Sequence, residues 1–262
     1  CILTGRVLYL HGHDPRSERG RRGRSRCMHM RRKQWARPEL EVCSYYYNDP
    51  EEMRGKWKTA FPKEQPLMLE LGCGKGVSTA QMTSANRDIN FIAVDISPDV
   101  LGDARRNMAE AYGGDPENAV LCRFDIENIH RFFDREDEIE RIYIHFCNPW
   151  TKRPKHEKRR LTHPRQLLQY RKFLSEKGEI WFKTDDDDLF ADSMLYFKVC
   201  GFEPVYVTEN LHASGFEPNY MSEHEMKFSA QGIPIKAGIF RKKEGDFDFD
   251  ATRWNKNDAA EL

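Results

Sequence analysis

The sequence predicts an α/β fold: one mostly parallel sheet of seven strands with helices on both faces. Three observations predict it. Short apolar runs alternate with amphipathic stretches over residues 65–243, and such alternation buries both faces of a parallel sheet under helices. The first run, Leu67–Leu71, passes into glycines at 72, 74 and 76, a strand-to-helix turn whose backbone a ligand can approach closely. Acidic residues then stand at the ends of successive runs, where a parallel sheet collects its ligands.

In chain order, residues 1–27 come first, and from position 11 they are Arg/Gly/Ser-rich and aperiodic. Such a segment cannot bury enough apolar surface to order itself; a basic arm for nucleic acid is the alternative. The first residue is Cys, and Met28 or Met30 reads as a natural start, which makes 1–27 an upstream extension and 28–64 an N-terminal arm. Strands are expected over 67–71, 90–96, 119–124, 141–146, 179–184, 203–208 and 236–241, and helices over 76–84, 98–112, 164–175 and 187–200. Pro98 behind Ser97 is an N-cap followed by proline, a helix start. Gly178 and Gly201 stand where helices should stop. Residues 244–262, with Asp-Phe-Asp-Phe-Asp, read as an acidic, mobile tail.

Composition narrows the class. No apolar run approaches the roughly 20 residues that span a bilayer, and no basic n-region precedes the apolar first residues, so secretion is rejected. The seven cysteines are odd in number and lack a CxxC pair; they read as small buried residues, not as zinc ligands or disulfides, and fit a reducing cytoplasm. Formal net charge is zero, yet residues 1–33 carry ten Arg/Lys against Asp14 and Glu18. A polyanionic partner must therefore be held by local patches and not by the field of the whole molecule.

The cofactor half of the site lies at the first three strand ends. Val77 stands where a dinucleotide fingerprint wants its third glycine. The GxGxG spacing of Gly72, Gly74 and Gly76, with Glu70 two residues ahead, instead resembles the first motif of S-adenosylmethionine-dependent methyltransferases. Asp95, 19 residues past Gly76, can accept both hydroxyls of a ribose. Asp125, between Phe124 and Ile126, suits the amine and face of an adenine. Glu70 suits the ammonium of a methionine moiety. Each acid alone could be a cap or a solvated strand end; three behind a glycine turn point to a nucleoside-containing cofactor.

The substrate half follows the fourth strand. His145-Phe-Cys-Asn148-Pro-Trp150 leads into residues 152–160, which hold six bases and one acid. That density beside an active-site strand is the footprint of phosphate contacts, and Trp150 can stack on a base or close the strand end. After the fifth strand come Asp185, Asp186, Asp187 and Asp188, partly a helix N-terminus, with Asp185 best placed to face the cleft. Ser222 and Glu225, three apart, are site candidates or a capping box.

From about Met28 to Lys243 the chain resembles the bacterial tRNA (guanine-N7-)-methyltransferases of the Gram-positive type. The likeness rests on Met28-His-Met-Arg-Arg-Lys-Gln-Trp-Ala36, Gly55-Lys-Trp57, Glu70 to Gly76, Asn148-Pro-Trp150, Lys155 to Thr162, Phe182-Lys-Thr-Asp185 and Glu225-Met-Lys-Phe-Ser229. It implies the Rossmann-like class I methyltransferase fold and S-adenosyl-L-methionine held by Glu70, Asp95, Asp125 and Asn148. It also implies tRNA as partner, substrate contacts at Lys152, Asp185 and the Ser222–Glu225 stretch, RNA contacts over Lys155, His156, Lys158, Arg159 and Arg160, and guanine 46 of the variable loop as target. Three positions depart from the family: Asn148 where Asp is common, Ser222 where Thr is usual, and a loop one residue longer around Pro154.

Guanine N7 has an in-plane lone pair and no proton, so direct displacement on a sulfonium methyl needs no general base. Catalysis then rests on alignment and electrostatics, with Asp185 favouring the charge that develops on guanine and Asn148 orienting base or cofactor. The competing readings are another nucleic-acid methyltransferase of this fold and an RNA-binding protein with a vestigial cofactor pocket.

Overall fold

A computed structural model describes residues 32–151, 154–245 and 247. The chain divides into Cys1–Arg32 and Lys33–Leu262. Of the first unit only the exposed Arg32 is described, and the reading of 1–27 as an extension lies outside the described residues. The second unit holds α1 (Ala36–Glu41), β1 (Tyr46–Asn48), β2 (Leu67–Leu71), α2 (Val77–Ala85), β3 (Asn90–Asp95), α3 (Pro98–Tyr112), β4 (Ala119–Arg123), β5 (Ile139–His145), α4 (Pro164–Phe173), β6 (Leu174–Thr184), α5 (Asp187–Val199), β7 (Phe202–Thr208), α6 (Leu211–Ser214), α7 (Glu223–Ser229) and β8 (Lys236–Lys242).

Eight strands form one sheet in the order β1-β4-β3-β2-β5-β6-β8-β7. All neighbours pair parallel except β8, which runs antiparallel to both β6 and β7. The seven expected strands are all present; the eighth is β1, three residues at the edge beside β4. α2 packs against α3, and α4 against α5, the grouping that right-handed crossovers on either side of β2 and β5 require. Burial on both faces gives β2 five buried residues in succession, the pattern of a central parallel strand.

Two arm segments are tied into this body. Ala36 on α1 packs directly over Gly102 of α3, where an added Cβ would come within 2.7 Å of the Ala36 Cβ, and Arg106 stacks on Trp35. The Gly55-Lys-Trp57 turn is held by Asp137, whose buried carboxylate accepts the backbone N–H groups of Gly55, Trp57 and Asp134. Trp57 also donates its indole N–H to the Phe132 carbonyl at 2.8 Å.

Helix ends follow the sequence with one exception. Ser97 precedes Pro98 as expected, but its side chain makes no capping bond; the Ser97 N–H is taken by Asp95 Oδ1 at 2.9 Å. Gly201, at φ +70°, closes α5 through its N–H to the Lys198 carbonyl. Gly178 does not stop α4. That helix ends at Phe173 with Leu174 already extended, and Gly178 sits inside β6, where the pairing to β5 jumps from Ile139↔Leu174 to Arg141↔Glu179. Residues 175–178 are extruded as a bulge, the usual position for a strand glycine.

Candidate active site

The strand order reverses between β2 and β5: the chain runs from β2 outward through β3 and β4, then crosses back to β5. Open parallel sheets bind ligands at the carboxyl ends of the strands flanking such a point. Gly72, Gly74 and Gly76 stand at φ +81°, +55° and +66°, conformations that cost a side chain strain. Gly76 is also pressed on Ala104 of α3, while a Cβ on Gly74 would meet nothing within 4 Å. The turn is therefore closed beneath and open above.

Asp95 pins this turn, its Oδ2 accepting the Gly74 N–H at 3.1 Å; burial raises its pKa, against the backbone N–H groups of Ser97 and Gly74. Beside it Ile96 is 55% exposed, an apolar surface at a polar strand end that sequence reasoning passed over. Asp125, exposed at the end of β4, caps the short 3-10 segment Ile126–Arg131 by accepting the Glu127 N–H at 3.0 Å. Glu70 is only 3% exposed. Its Oε2 accepts from the Thr79 hydroxyl on α2 at 2.5 Å, and burial pushes its pKa up.

On the same face of the sheet a polar row continues across β5 and β6. His145 and Lys183 are direct partners in the β5–β6 register. His145 Nδ1 lies 3.9 Å from Glu70 Oε1, is buried and has no hydrogen-bond partner. Burial, helped by the Lys183 charge, holds this imidazole well below its ordinary pKa and therefore neutral. Lys183 donates to Glu225 Oε2 at 2.7 Å, Asn219 Oδ1 at 2.9 Å and the Tyr220 carbonyl at 3.2 Å. Burial lowers the Lys183 pKa more than Glu225 restores it. Each closes a three-residue apolar run, Ile142-Tyr-Ile144 before His145 and Ile180-Trp-Phe182 before Lys183, a signal that does not show the two to be partners.

Glu225 is fully buried, at 0% exposure. Its Oε1 accepts from Asn219 Nδ2 at 2.7 Å and faces His212 Nε2 at 3.2 Å. Ser222 is the N-cap of α7, its hydroxyl accepting the Glu225 N–H at 3.1 Å. This is half of a capping box; the glutamate side chain turns inward to Lys183. A second tie, Lys75 of the glycine turn to Glu223 at 2.7 Å, joins α7 to the cofactor side. Beneath the row lies a cavity of about 130 Å³ walled by Phe91, Tyr143, Trp181, Tyr206 and Phe216. His145 and Lys183 line it, whereas the glycine turn, Asp125 and Asp185 do not.

Three of the four aspartates after β6 are placed differently. Asp186 caps α5 by accepting the Leu189 N–H at 2.7 Å, and Asp187 pairs with Lys236. The Asp185 carboxylate, half-buried at the strand end, forms no hydrogen bond or ion pair with the described residues. Asn148, at the end of β5, accepts the Trp150 N–H through Oδ1 at 3.0 Å. Phe146 and Trp150 take φ of +52° and +50°, strain of the kind that gathers at active sites.

The basic loop divides as well. Lys152 lies outside the described residues, and only the backbone of Lys155 is described. His156 packs edge-on against Trp150, Lys158 is exposed, and Arg159 lies over the Trp150 ring while pairing with Glu127. Arg160 departs from the expected RNA contact. It is 2% exposed, pairs with Asp192 at 2.5 Å and donates Nε to the Pro149 carbonyl at 2.7 Å. The guanidinium holds the Asn148-Pro-Trp150 turn from inside, because a planar fork of donors can satisfy a half-buried carboxylate and a carbonyl together. Among the described residues no cluster of His, Cys, Asp or Glu could hold a metal ion, and no helix is long and apolar enough to cross a membrane.

Residues 64–237 match a family described as "Putative methyltransferase". The chain is 53% identical over 220 residues to a tRNA (guanine-N(7)-)-methyltransferase of Clostridium botulinum, covering 83% of this chain and all of that protein. Proteins of the same description from Clostridium perfringens and Acetivibrio thermocellus are 52% and 51% identical over 219 residues, each covering 82% of this chain and all of theirs.

Proposed function

The chain belongs to the tRNA (guanine-N(7)-)-methyltransferase family, and on that premise we propose that it transfers the methyl group of S-adenosylmethionine to N7 of guanine 46 in tRNA. The observation that carries this reading is the likeness to those relatives over most of the chain, and the family match from residue 64 to 237 takes in the glycine turn, the Asn148-Pro-Trp150 turn and the Ser222–Glu225 segment. We assign it to the bacterial cytoplasm, where tRNA is modified.

The residues present fit the cofactor. A glycine turn open above Gly74 admits a ligand against the backbone, Asp95 and Ile96 offer a carboxylate and an apolar surface side by side, and Glu70 is a buried carboxylate with no cation bound to it. Bound there, S-adenosylmethionine supplies a methyl carbon activated by its sulfonium. The chain's own part is alignment. N7 needs no deprotonation, so the Asp185 carboxylate, unspent on capping, serves the charge that grows on the guanine ring. Asn148, committed through Oδ1 to its turn, retains the Nδ2 donor for base or cofactor. Ser222 and Glu225 shape the guanine pocket from α7. Lys158 and Arg159 face outward for phosphates, and Trp150 beneath Arg159 is placed to stack on a base.

The test is methyl transfer from radiolabelled S-adenosylmethionine to unmodified tRNA transcripts, with borohydride–aniline cleavage to map the base. Cleavage at one variable-loop guanine is expected, with Asp185→Ala losing most turnover and Asn148→Asp retaining or raising it. Label without cleavage would discard N7; full turnover by Asp185→Ala would discard that residue's role.

A further inference from the structure

We propose that His145 Nδ1 and Glu70 Oε1 form the acceptor pair for the ammonium group at the amino-acid end of the cofactor, an inference that rests on the S-adenosylmethionine reading. Glu70 is already the carboxylate expected to meet that ammonium; what the structure adds is His145, brought against it across β2 and β5.

The distance carries the argument. At 3.9 Å the two atoms are too far apart to bond directly. A single N–H₃⁺ group at ordinary bond lengths of about 2.8 Å from both would sit at the apex of a near right angle, which a tetrahedral donor can serve. His145 Nδ1 is buried with no hydrogen-bond partner among the described residues. Oε2 of Glu70 is taken by Thr79, which leaves Oε1 turned to His145. Lys183, whose charge acts on Glu70, spends its Nζ on Glu225, Asn219 and Tyr220. Glu70 is thus a buried carboxylate held by the hydroxyls of Thr79 and Ser78 with no cation among the described residues in hydrogen-bond contact, and an uncompensated buried charge is costly until a cation joins it.

His145 completes the pair because a neutral imidazole offers a lone pair to an ammonium without adding positive charge, whereas a lysine or arginine at that position would repel it. Burial and the Lys183 charge keep it in that state. The pair lies at the end of β5 beside β2, where the strand order reverses, and the open space above Gly74 lies at the end of the same β2. The nucleoside contacts of Asp95 and Asp125 stand on the other flank of the turn, at the ends of β3 and β4.

The inference makes the amino-acid end of the ligand the discriminating feature. Titration calorimetry would compare S-adenosylmethionine with 5′-methylthioadenosine, which has the nucleoside and thioether but no amino acid. For His145→Leu, affinity for S-adenosylmethionine should fall at least tenfold and that for 5′-methylthioadenosine change less than twofold. His145→Asn, which keeps a hydrogen-bonding atom near the Nδ1 position, should bind S-adenosylmethionine within about threefold of the unmodified protein. In the unmodified protein the ¹⁵N resonance of His145 Nδ1 should move on adding S-adenosylmethionine and stay on adding 5′-methylthioadenosine, a readout that needs no variant to fold. Equal loss of both ligands in His145→Leu, or no loss of either, overturns the proposal, as does an unmoved Nδ1 resonance. If the unmodified protein binds neither compound, the cofactor reading itself fails, and the two failures are told apart.

Discussion

Replacing Lys183 by methionine removes the only cation among the described residues that Glu225 Oε2 contacts and strips a donor from Asn219 Oδ1 and from the Tyr220 carbonyl. Glu225 has no exposed surface with which to recruit water. Breaking a buried pair from one side costs roughly 3–5 kcal/mol, which for a body of this size lowers the melting temperature by about 10 °C. The pair itself contributes far less than that, since burial already pulls the Lys183 pKa down against the attraction of Glu225. Lys183→Met combined with Glu225→Leu should therefore recover most of the loss, with a coupling energy above about 2 kcal/mol in the double-mutant cycle. Differential scanning calorimetry of both single variants and the double variant at pH 7 reads this directly. A loss under about 1 kcal/mol for Lys183→Met, or a double variant as unstable as the two singles added together, would refute the reasoning.

Other perturbations follow from the same geometry. Burial, with Arg165, Arg160 and Lys158, holds His163 down to about 4, while the unfolded chain titrates near 6.5. The unfolded state alone takes up this proton, so stability present above pH 6.5 is lost as pH falls toward 4, by roughly 3 kcal/mol. His163→Asn keeps an acceptor for the Arg165 N–H at the start of α4 and should flatten melting temperature against pH across that window; curves parallel to the parent would remove His163 as the cause. Gly76→Ala puts a Cβ 2.7 Å from Ala104 at φ +66° and should cost about 2 kcal/mol in denaturant unfolding, a loss below 0.5 kcal/mol being the contrary result. Lys158→Glu should weaken tRNA binding and reduce the slope of log Kd against log salt by about one. Arg160→Met should leave that slope unchanged while lowering stability and turnover, and the reverse pattern would return Arg160 to the RNA surface.

Most of the sheet was legible because central parallel strands are buried on both faces and read as unbroken apolar runs. β1 was not: three residues at an edge, Tyr46, Tyr47 and Asn48, carry neither a run nor a period. The α4–β6 junction was misjudged at Gly178, because a glycine after a helix suggests a cap and only the register shows a bulge. In the site, Glu70, Asp95, Asp125, Asn148 and Asp185 were legible as polar residues ending apolar strands. His145 and Lys183 were hidden, since what matters about them is their pairing across β5 and β6. Arg160 was misplaced for the opposite reason. One-dimensional charge density does not say which member of a basic run turns inward, and here Asp192, 32 residues away, decides it.

The position of β8 also bears on how the protein is made. β8 is the last strand in chain order, yet it fills an inner place between β6 and β7. Until Lys236–Lys242 leaves the ribosome, β6 and β7 each present an unpaired edge, the kind of surface that recruits other nascent chains. The half comprising β2, β3, β4 and β5 has all its pairings available by His145 and can settle early. The far side of the active site, with Lys183 on β6 and Glu225 on the β7–β8 connection, is completed only at the end of synthesis. Chains truncated before Lys236 would keep Lys183 and Glu225 but lose the strand that joins β6 to β7, and they would aggregate through the open seam.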